Sequence, residues 1–114
     1  MNMKESLNNY LEYADSDDEL TYKVRMEREW DDEAYTTCIN LVTTVINDYK
    51  ETDLVPIPIV LFFTSGIPYL LGIISNPDFF INTTESYKEL VQSRQQELQE
   101  LQKKFFSGEL FTKE

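Results

Sequence analysis

The feature that most constrains this chain is a run of 24 residues, 54–77, without a single charged side chain. It contains all four prolines and two of the three glycines of the sequence: Pro56, Pro58, Pro68, Pro77, Gly66 and Gly72. The run is long enough to cross a bilayer. Its neighbours are Asp53 and Asp78, however, and not the lysine and arginine clusters that normally fix a spanning helix. The pattern therefore predicts two short buried elements and no membrane partner for 54–77.

The same run is compatible with two secondary structures. As helices, Pro58 and Pro68 would occupy first-turn positions, where a missing N–H costs nothing, and Gly66 would end the first helix. As a β-hairpin, 59–63 and 69–74 would pair as two buried strands. The placement of proline and glycine favours two short helices with a break at Gly66, and the hairpin is the alternative.

Three other segments have apolar residues at three- and four-residue steps, which is the period of an amphipathic helix. The first is 4–14. The second follows the carboxylates at 31–33, which suit a helix N-terminus, and ends near residue 50. The third is 84–106, which lacks glycine and proline and consists mainly of helix-forming residues. Each of these segments is predicted to be a helix.

Residues 20–30 are ambiguous, because apolar and polar side chains alternate over 20–26 as they do in a half-buried strand. A strand is preferred locally. A chain of 114 residues has the usual size of one domain. We therefore predict a single domain, 1–114, that is mainly α with four or five helices. The alternative is an α+β fold in which 20–28 and 57–75 form a short antiparallel sheet.

The helix at 84–106 carries a seam with the spacing of a heptad repeat. Its six positions are Tyr87, Val91, Arg94, Leu98, Leu101 and Phe105. Such a seam either packs against the helix's own domain or pairs with a second copy in a short coiled coil. Packing against the domain is preferred, and a homodimer through the seam is the alternative.

Several kinds of chemistry are excluded by composition. Histidine is absent, which removes the commonest general base and metal ligand. Three glycines cannot build a phosphate-binding loop, and no nucleotide-binding motif is present. Cys38 lies on the apolar face of a predicted helix, where a thiol is usually inert. We predict no enzymatic activity, no cofactor and no metal site.

The single cysteine also bears on the cellular compartment. One cysteine cannot form an internal disulfide, and residues 1–13 are too polar and mixed for a signal peptide. Both observations predict a cytoplasmic protein.

Negative charge is concentrated near the N-terminus. The net charge is −11, and residues 12–33 hold ten acidic against three basic side chains. This potential repels nucleic acid and anionic membranes and attracts basic surfaces. Carboxylates and large aromatic rings alternate here, so we predict a site for a basic protein surface. Its residues are Asp15, Asp17, Asp18, Glu19, Tyr22, Glu27, Glu29, Trp30, Asp31, Asp32 and Glu33.

These observations predict a non-enzymatic binding protein. Its most specific form is an acidic inhibitor or antidote, of the immunity or phage-antagonist type, that blocks a basic protein which handles nucleic acid. The analogy rests on size and charge alone. One alternative is a structural or assembly protein that self-associates through 84–106. In the other, the acidic segment is only a solvated loop, with Tyr22 and Trp30 in the core.

Overall fold

The computed structural model describes residues 4–52 and 54–111. Within them the chain forms five helices and no β-strand, which confirms the mainly α fold. The helices are α1 Glu5–Ala14, α2 Leu20–Glu27, α3 Asp32–Tyr49, α4 Ile57–Ile74 and α5 Glu85–Phe106. Two short 3₁₀ turns, Pro77–Phe80 and Glu109–Phe111, precede and follow α5. The helices predicted at 4–14, 31–50 and 84–106 are thus all present.

The strand preferred at 20–28 is wrong, because α2 occupies these residues. The carboxylate of Glu19 caps the helix by accepting hydrogen bonds from the backbone N–H groups of Thr21 and Tyr22, both at 2.8 Å. Leu20 and Val24, one helical turn apart, are each only 1% exposed. Their four-residue step therefore determines the conformation, and the two-residue alternation is incidental.

The break predicted at Gly66 is also wrong, and so is the alternative hairpin at 57–75. α4 runs without interruption for 18 residues, because the stretch Phe62–Gly66 adopts a π-helical turn. The N–H of Ile67 donates to the carbonyl of Phe62, five residues earlier. This wider turn allows the helix to continue up to and beyond Pro68.

A side chain from α5 completes the backbone hydrogen bonding around Pro68. In the π register the carbonyl of Phe63 would accept from residue 68, and proline has no N–H to donate. The side-chain amide of Gln102 donates to this carbonyl instead, at 3.3 Å. The ring of Phe63 is fully buried and stacks on Phe105, with centroids 4.1 Å apart. The irregular turn is therefore held from α5 by both polar and apolar contacts.

The five helices enclose one hydrophobic core. α1 packs on α3, α2 packs on α3 and on the C-terminal half of α4, and α5 covers that half of α4. α4 buries Ile59, Phe63 and Leu70 but leaves Ile57 and Leu61 72% and 54% exposed. By length and composition alone α4 could cross a membrane, a property that the core helices of soluble proteins share.

Candidate partner-binding groove

The predicted seam of α5 faces the interior of the protein. Val91 and Leu98 are fully buried, and Leu101 packs against the same core. Phe105 forms the stack with Phe63, and the hydroxyl of Tyr87 accepts a hydrogen bond from the backbone N–H of Trp30 at 2.7 Å. The seam is thus filled by the chain's own domain. Self-association through α5 would require a different face of the helix.

Arg94, the charged member of the seam, joins α5 to the start of α3. Its guanidinium donates to both carboxylate oxygens of Asp32, at 2.9 and 2.8 Å, and also to Glu97. It lies over the ring of Tyr35, 4.9 Å from the centroid. The hydrogen bond from Arg94 is the main reason why the pKa of Asp32 is lowered. The charge of Asp32 is therefore used to hold two helices together.

Two further acidic residues of the predicted site have structural roles. The carboxylate of Glu19 caps α2, as described above. The carboxylate of Asp31 caps α3 by accepting from the N–H groups of Glu33 and Ala34, and it also pairs with Lys23 at 2.7 Å. Together with Asp32, these residues make contacts that hold the helices in place, and their role in docking a partner stays a prediction.

The two aromatic residues of the predicted site also differ in exposure. Trp30 is only 4% exposed, its indole N–H donates to Asp32, and its ring packs against Tyr35. It belongs to the core, as the alternative interpretation held, and cannot serve as a docking ring. Tyr22 is half-buried on α2 and remains accessible.

The other acidic residues of the segment remain on the surface. Their side chains are exposed and form no ion pair with any described residue: Asp15, Asp17, Asp18, Glu27, Glu29 and Glu33. They do not share a single face. Asp18 and Glu33 line one groove, and Asp15 and Asp17 line another on a different side of the turn between α1 and α2.

A wide groove lies between α1, the α1–α2 turn, the near side of α2 and the start of α3. It is open to solvent, has a volume of about 530 Å³, and brings four carboxylates around one ammonium group. The charged residues in its wall are Glu12, Asp18, Asp31, Glu33 and Lys23. Since Lys23 is bound to Asp31, three of the four carboxylates have no ion-pair partner within the described residues.

A partly buried tyrosine hydroxyl holds this groove in shape. The hydroxyl of Tyr13 donates to the carbonyl of Ala34 at 3.0 Å and accepts from the N–H of Leu20 at 2.9 Å. It thereby ties α1 to the first turns of both α2 and α3. Burial raises the pKa of this hydroxyl, so the group stays protonated and continues to donate. The groove is therefore preformed.

Seven residues of the groove were not predicted: Asn9, Glu12, Tyr13, Ser16, Lys23, Ala34 and Thr37. A signal for part of this wall was available, since Asn9, Glu12 and Tyr13 lie at three- and four-residue steps on a predicted helix and share one face. What could not be foreseen is that this face of α1 meets the start of α3, because that depends on how the two helices pack.

The arrangement suits ionic recognition better than bond making. Cys38 is buried, and burial raises its pKa to about 12, so its thiol is neither accessible nor ionised near neutral pH. Within 4–52 and 54–111, no three cysteine or acidic side chains are grouped so that they could hold a metal ion. The groove instead presents exposed carboxylates to whatever binds there. No protein-family model matches this chain, and no curated protein or solved structure is significantly similar to it.

Proposed function

We propose that this protein is a non-enzymatic antagonist that binds a basic protein surface through the groove between α1 and α3. The observation that carries the proposal is the ratio of four carboxylates to one lysine in a single preformed groove. Three of these carboxylates, Glu12, Asp18 and Glu33, form no ion pair with the described residues. They are therefore available to a partner without loss of a contact that holds the fold together.

The chemistry of the groove indicates which side chains it would receive. Arginine donates in a planar fork that matches a carboxylate, and it stays charged at all physiological pH values. The groove has a volume of about 530 Å³, and Tyr13 and Ala34 line it together with the carboxylates, so an arginine side chain would have both apolar and acidic neighbours there. Additional negative charge on the rest of the molecule would accelerate encounter with a cationic surface.

The sign of the charge also narrows the class of partner. Nucleic acid carries phosphate charges of the same sign and is repelled. A protein that handles nucleic acid presents the opposite charge in its binding cleft, and an acidic domain can occupy that cleft in place of the phosphates. An inhibitor or antidote of such a protein is the function that this groove supports best.

A charge-reversal experiment tests the proposal. The variant D18K/E33K changes two exposed wall residues and moves the net charge from −11 to −7, since each reversal adds two. The control E89K/E100K makes the same change in net charge on exposed positions of α5. Wild type, variant and control would be used as bait in a pull-down from the native host, with mass spectrometry and then titration calorimetry.

Wild type and control should retain the same basic protein, and the groove variant should bind it at least about tenfold more weakly. All three should have similar circular dichroism spectra and melting temperatures. Equal affinity of D18K/E33K for the partner, or retention of an acidic protein, would contradict the proposal.

A further inference from the structure

The side of α2 that faces away from the acidic groove carries the opposite charge. Arg25 and Arg28 are exposed and line a second groove of about 280 Å³ between α2 and the C-terminal half of α4. Neither arginine forms an ion pair within the described residues, although acidic side chains outnumber basic ones by 21 to 10 in the sequence. Among the residues that the structure describes, two cations thus have no ion-pair partner despite the strongly acidic composition.

The periodicity of α2 separates these arginines from the acidic groove. Lys23 lies on the side that faces Asp31, with which it pairs. Arg25 is two positions further along the helix and therefore points to a different side. Glu27 and Glu29, the nearest acidic residues in sequence, do not line the arginine groove. Its wall instead includes Tyr69, which is 45% exposed.

Negative charge lies at the other end of this same side of α2. A third groove, of about 360 Å³, surrounds the N-terminus of α2 and includes the exposed carboxylates of Asp15 and Asp17. Arg25 lines both this groove and the arginine groove, so the two grooves adjoin at this side chain. One surface therefore changes from negative to positive over the length of α2, which is about 12 Å for eight residues.

We propose that two copies of this chain pair through this surface, with their α2 helices antiparallel about a two-fold axis. Asp15 and Asp17 of each copy would then face Arg25 and Arg28 of the other. A two-fold interface repeats every contact, so all the charges of the surface are matched at once. The antiparallel arrangement also places helix ends of opposite partial charge side by side.

The charge pattern is the reason for proposing a second copy of the chain as the molecule that binds this surface. A second copy carries the complementary charges at the required spacing, whereas a purely acidic ligand would match only the arginine end. Met26, on the outward side of α2 and 60% exposed, and Tyr69 provide apolar area for the contact. The seam of α5 takes no part, because it is filled within the chain.

The expected dimer is weak. Exposed ion pairs contribute little individually, so we expect a dissociation constant on the order of 0.1 mM. At an ionic strength of about 0.15 M the Debye length is about 8 Å, so the net charges of the two copies are largely screened while charges in contact are not.

Charge-swap complementation tests the arrangement by sedimentation equilibrium, at up to about 1 mM protein and about 0.15 M ionic strength. R25E/R28E makes both ends of the surface acidic and has a net charge of −15, since two reversals subtract four from −11. D15K/D17K makes both ends basic and has a net charge of −7 by the same arithmetic. Each variant alone should dimerise at least about tenfold more weakly than wild type.

An equimolar mixture of the two variants should form a heterodimer as stable as the wild-type dimer, because every contact is again between opposite charges. Its total charge, −15 plus −7, equals that of two wild-type copies, so bulk charge cannot explain the recovery. The quadruple variant should likewise dimerise with itself. The controls E89K/E100K and D18K/E33K should behave as wild type, and the second of these separates this proposal from the proposed function.

Three outcomes would overturn the proposal. The first is a wild-type protein that stays monomeric at about 1 mM. The second is a mixture of the two variants that stays monomeric. The third is a dimer that E89K/E100K abolishes and R25E/R28E preserves. If wild type were monomeric but floated with anionic vesicles, and R25E/R28E did not, the arginines would serve a membrane contact instead.

Discussion

The side chains of α5 and those of the acidic segment 12–33 are stabilised in different ways. The ion pair between Arg94 and Asp32 joins the two regions. The seam of α5 faces the core, with Val91 and Leu98 fully buried and the other seam residues partly buried. The acidic segment is divided, since some carboxylates cap helices or pair with cations and the rest remain in water. An apolar side chain is stabilised by any apolar surface, whereas a carboxylate leaves water only where donors are supplied.

The largest test of this contrast is made on α5. Leu98→Ala removes a fully buried side chain and should lower the free energy of unfolding by about 3 kcal/mol, because the core cannot close the cavity. Leu90→Ala, on the same helix but 37% exposed, is the matched control and should cost less than about 1 kcal/mol. Urea denaturation measures both values. Equal losses would mean that the seam does not pack as described.

The second test cuts the ion pair between the two regions. Arg94→Ala removes the bidentate contact with Asp32 and should cost about 1–2 kcal/mol at neutral pH, a value reduced because the pair is partly exposed. Arg94→Lys retains the charge but not the fork, so it should recover only part of the loss.

The effect of Arg94→Ala should depend on pH. Folding lowers the pKa of Asp32, chiefly through the hydrogen bond from Arg94, so this contribution to stability is present above the ordinary carboxyl pKa and is lost as pH falls through the folded value. The difference between wild type and Arg94→Ala should therefore be constant near neutrality and shrink below about pH 4. A difference that stayed the same down to about pH 2 would contradict this role for Asp32.

The smallest expected effect comes from comparing two acidic residues within the segment 12–33, one that caps a helix and one that is exposed. Asp31→Ala removes the cap of α3 and should cost about 1 kcal/mol. Glu29→Ala removes the same charge from an exposed position in the preceding loop and should change stability by less than about 0.5 kcal/mol. Thermal unfolding of the two variants under identical conditions compares them. A loss for Glu29→Ala as large as that for Asp31→Ala would mean that the segment acts through its total charge.

Periodicity alone predicted α1, α3 and α5, because their apolar residues follow the helical repeat over ten or more positions. It failed at α2, where eight residues are too few to separate two periods and the cap supplied by Glu19 decides. In α4 a different signal failed, because the positions of proline and glycine predicted a break in the helix and the helix continues. The π turn that avoids the break accepts a hydrogen bond from Gln102, which lies almost forty positions away in sequence.

For the candidate site, the sequence showed where the negative charge is concentrated. It did not show which carboxylates contact other parts of the fold and which remain exposed. Carboxylates that look equivalent in the sequence serve as caps, as ion-pair partners or as exposed groove residues. Their roles depend on which donors the fold brings within hydrogen-bonding distance. Glu12 lines the groove with Glu33 because α1 packs against α3, and Lys23 does so because α2 packs against α3.

The amino-acid sequence by itself determined that the chain is helical, that its net charge is strongly negative and that it contains no histidine. These properties depend on residue types and local spacing, which act within a few positions along the chain. The tertiary structure decided that the α5 seam faces inward, that α4 continues past Pro68 and that only part of the acidic segment is available to a partner. Each of these outcomes depends on contacts between residues distant in sequence, and no local pattern encodes such contacts.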